Sequence, residues 1–186
     1  MKSFTGTEIV LIDAEAPKPL DGTTLERHFD RLVAANGSAL TRIASSYTNT
    51  LSDRDDLLQE IAMALWQALP KFRGECSERT FLFRIAHNRA ITYLARSRSQ
   101  PITGEEVEVH DPAPDPEAGL VREQSVERLR WAIHCLPVVY RQVITLSLEG
   151  LAYGEIAEVL GISEINVGVR LTRARQILRE SLESQP

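Results

Sequence analysis

The chain is predicted to be all-α, with two small helical domains joined by an acidic, proline-rich linker and a helix-turn-helix in the C-terminal domain. Three observations predict it. Leu, Ala, Ile, Arg and Glu dominate, and few residues suit strands. Apolar side chains recur at helical spacing almost without a break from Leu25 to about Arg98, and again from near Leu120 almost to Leu182. Between these stretches, residues 99–119, SQPITGEEVEVHDPAPDPEAG, hold four prolines and six acids, a composition that cannot bury a core and stays extended. With 186 residues there is room for one medium domain or two small ones. The expected division is an N-terminal extension 1–23, a first domain 24–98, a linker 99–120 and a second domain 121–184.

The extension, MKSFTGTEIVLIDAEAPKPLDGT, has one short β-like run from Glu8 to Ile12 followed by Pro17 and Pro19, and is expected to be poorly ordered or partner-dependent. In the first domain, DRDDLLQEIAMALWQALPKF (53–72) carries a buried stripe of Leu57, Ile61, Leu65 and Leu69, widened by Leu58, Ala62 and Ala68. Asp53, Asp55 and Asp56 stand where the helix dipole favours anions. Asp56, Gln59, Glu60 and Met63 share the outward face, a mixed acidic and apolar strip suited to a protein partner, and Pro70 ends the helix.

In the next stretch, KFRGECSERTFLFRIAHNRAITYLARSRS (71–99), the charge reverses. Lys71, Arg73, Arg79, Arg84, Arg89, Arg96 and Arg98 oppose only Glu75 and Glu78. A loop at Gly74 leads into a helix bearing Phe81, Phe83, Asn88, Arg89 and Tyr93. Arginines, rings and an amide interleaved in this way suit single-stranded nucleic acid, whose bases stack on aromatics while its phosphates meet cations. Phe81, Leu82, Ile85 and Ala86 fall at core spacing, which leaves Phe72, Asn88 and the arginines for contact.

The second domain begins with VERLRWAIHCLPVVYRQVITLSLEG (126–150), two amphipathic helices broken at Pro137, whose Leu129, Ile133, Leu136, Val143, Ile144 and Leu146 are expected to form a core. His134 beside Cys135 is no metal site, since adjacent helical residues point about 100° apart and no second ligand pair is near. LAYGEIAEVLGISEINVGVRLTRAR (151–175) then reads as a helix-turn-helix. Ile156, Ala157 and Leu160 share one face, Gly161 turns the chain, and Ser163 is placed to cap the next helix. Val167, Leu171, Ala174 and Leu178 point inward. Asn166, Arg170, Thr172, Arg173, Arg175 and Arg179 face outward, with four arginines against the single acid Glu164 over 164–179, which favours phosphate contact.

The formal charge of −5, from 26 acids and 21 bases, conceals this segregation, because net charge reports solubility and not local fields. No apolar run approaches the roughly 20 residues that span a bilayer. The N-terminus shows no basic region followed by an apolar core and a cleavage site, so a cytoplasmic location without membrane insertion is expected. Cys76 and Cys135 are too few for a disulfide framework and read as small buried or half-buried thiols of a reducing compartment.

Together these residues resemble the extracytoplasmic-function sigma factors, the smallest class of bacterial transcription initiation factors. The likeness covers about 25–183 and is carried by DDLLQE…W…LPKF, by FLFRIAHNRAITYL, and by LPVVYRQVITLSLEGLAYGEIAEVLGISEINVGVRLTRARQIL, in that order around a variable tether. The resemblance implies that Asp53, Asp56, Gln59, Glu60 and Met63 bind core RNA polymerase at the β′ clamp helices. It implies that Phe72, Arg73, Arg84, Asn88, Arg89 and Thr92 engage the −10 element, with Phe72, Arg73 and Asn88 nearest a captured base. It places the helix 162–179 in the major groove of the −35 element, with Asn166, Arg170, Thr172, Arg173 and Arg175 on the DNA, and threads the tether through the polymerase cleft toward the RNA exit path. The implied partners are core polymerase, through the β′ clamp helices and the β flap, promoter DNA, and an anti-sigma protein clamping both domains. No cofactor, metal or catalysis is implied. Four positions depart from the family pattern: Phe81 where Trp is usual, Thr92 where Asp or Asn is frequent, and Gly168 and Val169 where a basic residue and Ser are common.

Two other classes account for less of the chain. A stand-alone helix-turn-helix regulator explains 126–180 but gives the acidic face of 53–63 and the basic 71–98 no role. An enzyme is disfavoured by the lack of a Gly-rich phosphate loop, a ligand cluster or a nucleophile–base signature, with His28, His87, His110 and His134 scattered.

Overall fold

The computed structural model describes residues 22–97 and 118–183, the side chains of 118–125 excepted, and these residues form seven α-helices. The expectations for most of the extension and for 99–117 of the tether lie outside the described residues, while 118–120, expected as linker, already belong to a helix. α1 (Gly22–Ser45), α2 (Leu51–Ala68) and α3 (Glu78–Ser97) form one bundle. α4 (Ala118–Cys135), α5 (Val138–Leu148), α6 (Tyr153–Leu160) and α7 (Glu164–Glu183) form the other. Among the described residues there is no strand.

The ends of α2 and α3 are set by local chemistry. Thr50 caps α2 by accepting from the Asp53 amide at 3.0 Å, and Ser77 caps α3 by accepting from the Thr80 amide at 3.0 Å. Pro70 sits within a 3-10 turn, Leu69–Lys71, that closes α2 and aims the chain toward Gly74, whose φ is +74°. The predicted α2 stripe is buried: Leu57, Ile61 and Leu65 are wholly enclosed, with Leu69 nearly so, and they pack with Ile43, Leu82, Phe83 and Ala86. Removing a core ring such as Phe83 costs about 3–5 kcal/mol.

In the second bundle the helix-turn-helix is built as its residues require. Glu155 reaches back to accept from the Ala152 amide at 2.8 Å at the start of α6. Gly161 takes the left-handed conformation, φ +65°, at its end. Ser163 accepts from the Asn166 amide at 3.3 Å to open α7. Val167, Leu171, Ala174 and Leu178 are buried as predicted.

The expected core of this bundle needs one correction. Leu129 is 37 % exposed, while Ala132, Ile133 and Leu136 are buried. α4 is met at the level of Leu129 by the last turn of α7, where Arg128 donates to the Leu182 carbonyl at 3.3 Å, and a single helix covers only one side of a leucine. Cys135 is likewise exposed and not half-buried, whereas Cys76 is intermediate.

The two bundles touch. Tyr47, at the end of α1, is buried against α5: the Arg141 guanidinium lies over its ring at 5.4 Å and donates to the Ser46 carbonyl at 3.1 Å. Arg42 of α1 clasps Glu149 with two bonds of 2.7 and 2.6 Å, and α3 packs along α6.

Candidate polymerase and nucleic-acid interface

The acidic strip of α2 is held in place by α3. Asp56, Gln59 and Met63 are exposed, and Asp53 and Glu60 are half-buried. Arg96 donates to both oxygens of Glu60 at 2.6 and 2.7 Å. Burial together with the Asp53 and Asp56 carboxylates pushes the pKa of the Tyr93 hydroxyl up to about 12. Trp66 adds an exposed ring whose other edge stacks at right angles on Phe29, centroids 5.3 Å apart. The strip is therefore a rigid surface of fixed carboxylates and apolar side chains, as a protein partner requires.

The basic stretch splits into two parts. Asn88, Arg89 and Thr92 lie exposed on α3, with the Thr92 hydroxyl turned back to the Asn88 carbonyl at 2.9 Å. Phe72 packs on Phe81 with centroids 4.7 Å apart. The two rings, with Lys71, Arg73, Glu75, Cys76, Arg84 and Glu158, line an open cleft of about 490 Å³. Arg84 does not face solvent alone: it donates to the Glu158 carboxylate at 3.0 Å and to the Glu158 carbonyl at 3.2 Å. Burial, with Glu158 nearby, pushes the Cys76 thiol up. Behind this face His87 is fully enclosed, its Nε2 3.1 Å from the Tyr47 hydroxyl, and burial pulls its pKa down to about 4. Burial also raises that of Tyr47.

On α7, Asn166, Thr172, Arg173 and Arg175 are exposed and Arg170 half-exposed. All five predicted residues thus project from one helix away from its buried stripe. The structure brings the α2 residues together on one helix and the α7 residues together on another, and it divides the third group between the cleft, with Phe72, Arg73 and Arg84, and the exposed α3 positions Asn88, Arg89 and Thr92. What sequence reading missed is that Arg96 fixes Glu60 of α2 and that Glu149 and Glu158 bind arginines of the first bundle. Partners 36 to 107 positions apart leave no periodic signature.

Two helical domains, one with an acidic strip on α2 and a cationic cleft before α3 and the other a helix-turn-helix, define the architecture of a bacterial sigma factor. Comparison with known proteins agrees on both halves. Residues 32–100 match the family model for sigma-70 region 2, and residues 127–178 the model for sigma-70 region 4. The ECF RNA polymerase sigma-E factor of Haemophilus influenzae is 31 % identical over 170 residues, covering 85 % of this chain and 89 % of that one. A probable RNA polymerase sigma factor RfaY from Xanthomonas campestris is 28 % identical over 163 residues, 84 % of this chain, and the chain spans 41 % of its length. Among solved structures, CnrH in complex with the cytosolic domain of CnrY superposes with a TM-score of 0.65 at 29 % identity, covering 87 % of this chain and 91 % of that one. The sigma factor RpoE of Bartonella quintana, solved with the anti-sigma factor NepR, shares the fold with a TM-score of 0.69 at 19 % identity, over 86 % and 99 % of the two chains.

The chain belongs to the extracytoplasmic-function sigma factors of the sigma-70 family. Its function is to direct RNA polymerase to promoters and begin transcription, and a stand-alone regulator, which would leave the region 2 match without a role, is not favoured. Sigma factors are in general regulatory and not catalytic. Among the described residues no helix is long and apolar enough to cross a membrane.

Proposed function

We propose that residues 24–98 and 121–184 act as the two promoter-gripping domains of a cytoplasmic sigma factor, with 99–120 as the tether between them. Asp53, Asp56, Gln59, Glu60 and Met63 dock on the β′ clamp helices of core polymerase, and the second domain meets the β flap. Phe72, Arg73, Arg84, Asn88, Arg89 and Thr92 receive the −10 element. Asn166, Arg170, Thr172, Arg173 and Arg175 enter the −35 major groove. An anti-sigma protein holds the free chain, as NepR is bound to the Bartonella sigma factor.

The observation that carries this reading is the pairing of Arg96 with both oxygens of Glu60. It fixes the acidic strip to a helix whose middle carries the exposed Asn88 and Arg89, so one three-helix unit presents a protein-binding edge and a strand-binding edge at once. The division of labour follows from the chemistry: duplex DNA is held by phosphates and major-groove edges, whereas opening it costs a few kcal/mol per unstacked step, offset by a pocket for the extruded base.

The test is run-off transcription with core polymerase on genomic fragments, read for 5′ ends, using the wild type and the double charge reversal Asp56→Lys/Glu60→Lys. The wild type should initiate at defined sites. The variant should fold, as judged by its circular dichroism, and lose polymerase association at least roughly tenfold, the scale of about 1.4 kcal/mol. Unchanged association would remove the assignment of that strip.

A further inference from the structure

The recognition helix carries two large apolar side chains in water. Ile165 is 82 % exposed and Val169 56 %, on the first two turns of α7, where a recognition helix brings side chains to base edges. They stand at i and i+4, with Thr172 next on the same column and its hydroxyl turned to the Gly168 carbonyl at 3.0 Å. The neighbouring column is Asn166, Arg170 and Arg173. Ile165 is the most exposed of the large apolar side chains among the described residues, and it and Val169 stand beside a column of cations. In the major groove the apolar feature is the thymine C5-methyl, and cations on the adjacent column hold the phosphates that bring it within reach.

We propose that Ile165 and Val169 read thymine methyl groups in the −35 element and so set this chain's choice of promoter. The proposal rests on the assignment of α7 to the −35 major groove. Gly168 supports close approach without being sterically required, since a Cβ there would lie 3.7 Å from the Tyr153 ring, ordinary contact distance. The test uses holoenzyme and a promoter fragment selected by it from a random pool, prepared with thymine or with deoxyuridine throughout the −35 segment. Uracil pairs identically and lacks only the methyl. Wild type should bind the uracil duplex about fourfold more weakly per methyl buried. Ile165→Ala and Val169→Ala should each lower affinity for the thymine duplex and shrink that difference. A wild type indifferent to the exchange, or variants that keep the full difference, would overturn the proposal. Failure of the −35 assignment itself reads differently: Arg173→Ala would then leave binding of both duplexes unchanged.

Discussion

Acidification should unload stability from this chain through one side chain. His87 is fully buried, with Nε2 against the Tyr47 hydroxyl and Nδ1 meeting no protein partner among the described residues. A protonated ring would place a charge in this apolar setting, with the Arg141 guanidinium just beyond the Tyr47 ring, so burial draws the pKa from 6.5 to about 4. The folded value lies below the unfolded one, so the unfolded chain takes up the proton first as pH falls. The contribution of neutral His87 is complete above about 6.5 and is lost progressively down to about 4. At ~1.36 kcal/mol per pH unit the full loss is about 3 kcal/mol, of which about 2 kcal/mol falls between pH 7 and pH 5. His134, lowered by burial and by Arg141, acts in the same direction, so the comparison must isolate His87. Urea unfolding of wild type and His87→Gln at pH 7, 6 and 5 does so, because glutamine keeps an amide for Tyr47 and cannot titrate. The wild type should lose about 2 kcal/mol more than the variant over that range, and parallel pH dependences would refute the reasoning.

Asn88→Ala should impair promoter opening about tenfold, read by permanganate reactivity of unpaired thymines, while duplex retention changes by less than about twofold; equal losses in both would argue against base capture. Gly161→Ala should destabilise the second domain by about 1–2 kcal/mol, because the left-handed φ of +65° strains any Cβ although no atom lies within 4 Å of one. Gly161→Asn should recover part of that loss in the same urea titration, and an alanine variant as stable as wild type would show that the turn tolerates another geometry.

The helices were legible because their causes are local. Ser163 caps the helix it precedes, Gly161 turns where positive φ is needed, and the stripes at Leu57 and Val167 repeat at the period their burial demands; Thr50 and Ser77 cap α2 and α3 by the same local chemistry, which the sequence reading passed over. Leu129 was misread because periodicity says which face turns inward and not how far the neighbouring helix extends. The three candidate surfaces were legible as composition, acids on α2 and bases on α3 and α7. Their wiring was not. Whether Arg84 meets water or Glu158, and Arg42 or Arg79 meets Glu149, depends on how two bundles lie together, and side chains 70 positions apart or more share no pattern.

The same wiring resolves how a chain of charge −5 can hold DNA. Salt screens charges beyond about 8 Å at physiological strength, so a phosphate on α7 senses Arg170, Arg173 and Arg175 and little of the acids on α2. For α3 the acids are not remote. Glu158 lies 3.0 Å from Arg84, inside the screening length, where it competes with any strand at full strength. The α7 arginines of this acidic chain therefore act beyond the reach of the α2 carboxylates, whereas Arg84 of α3 is neutralised by the chain's own Glu158.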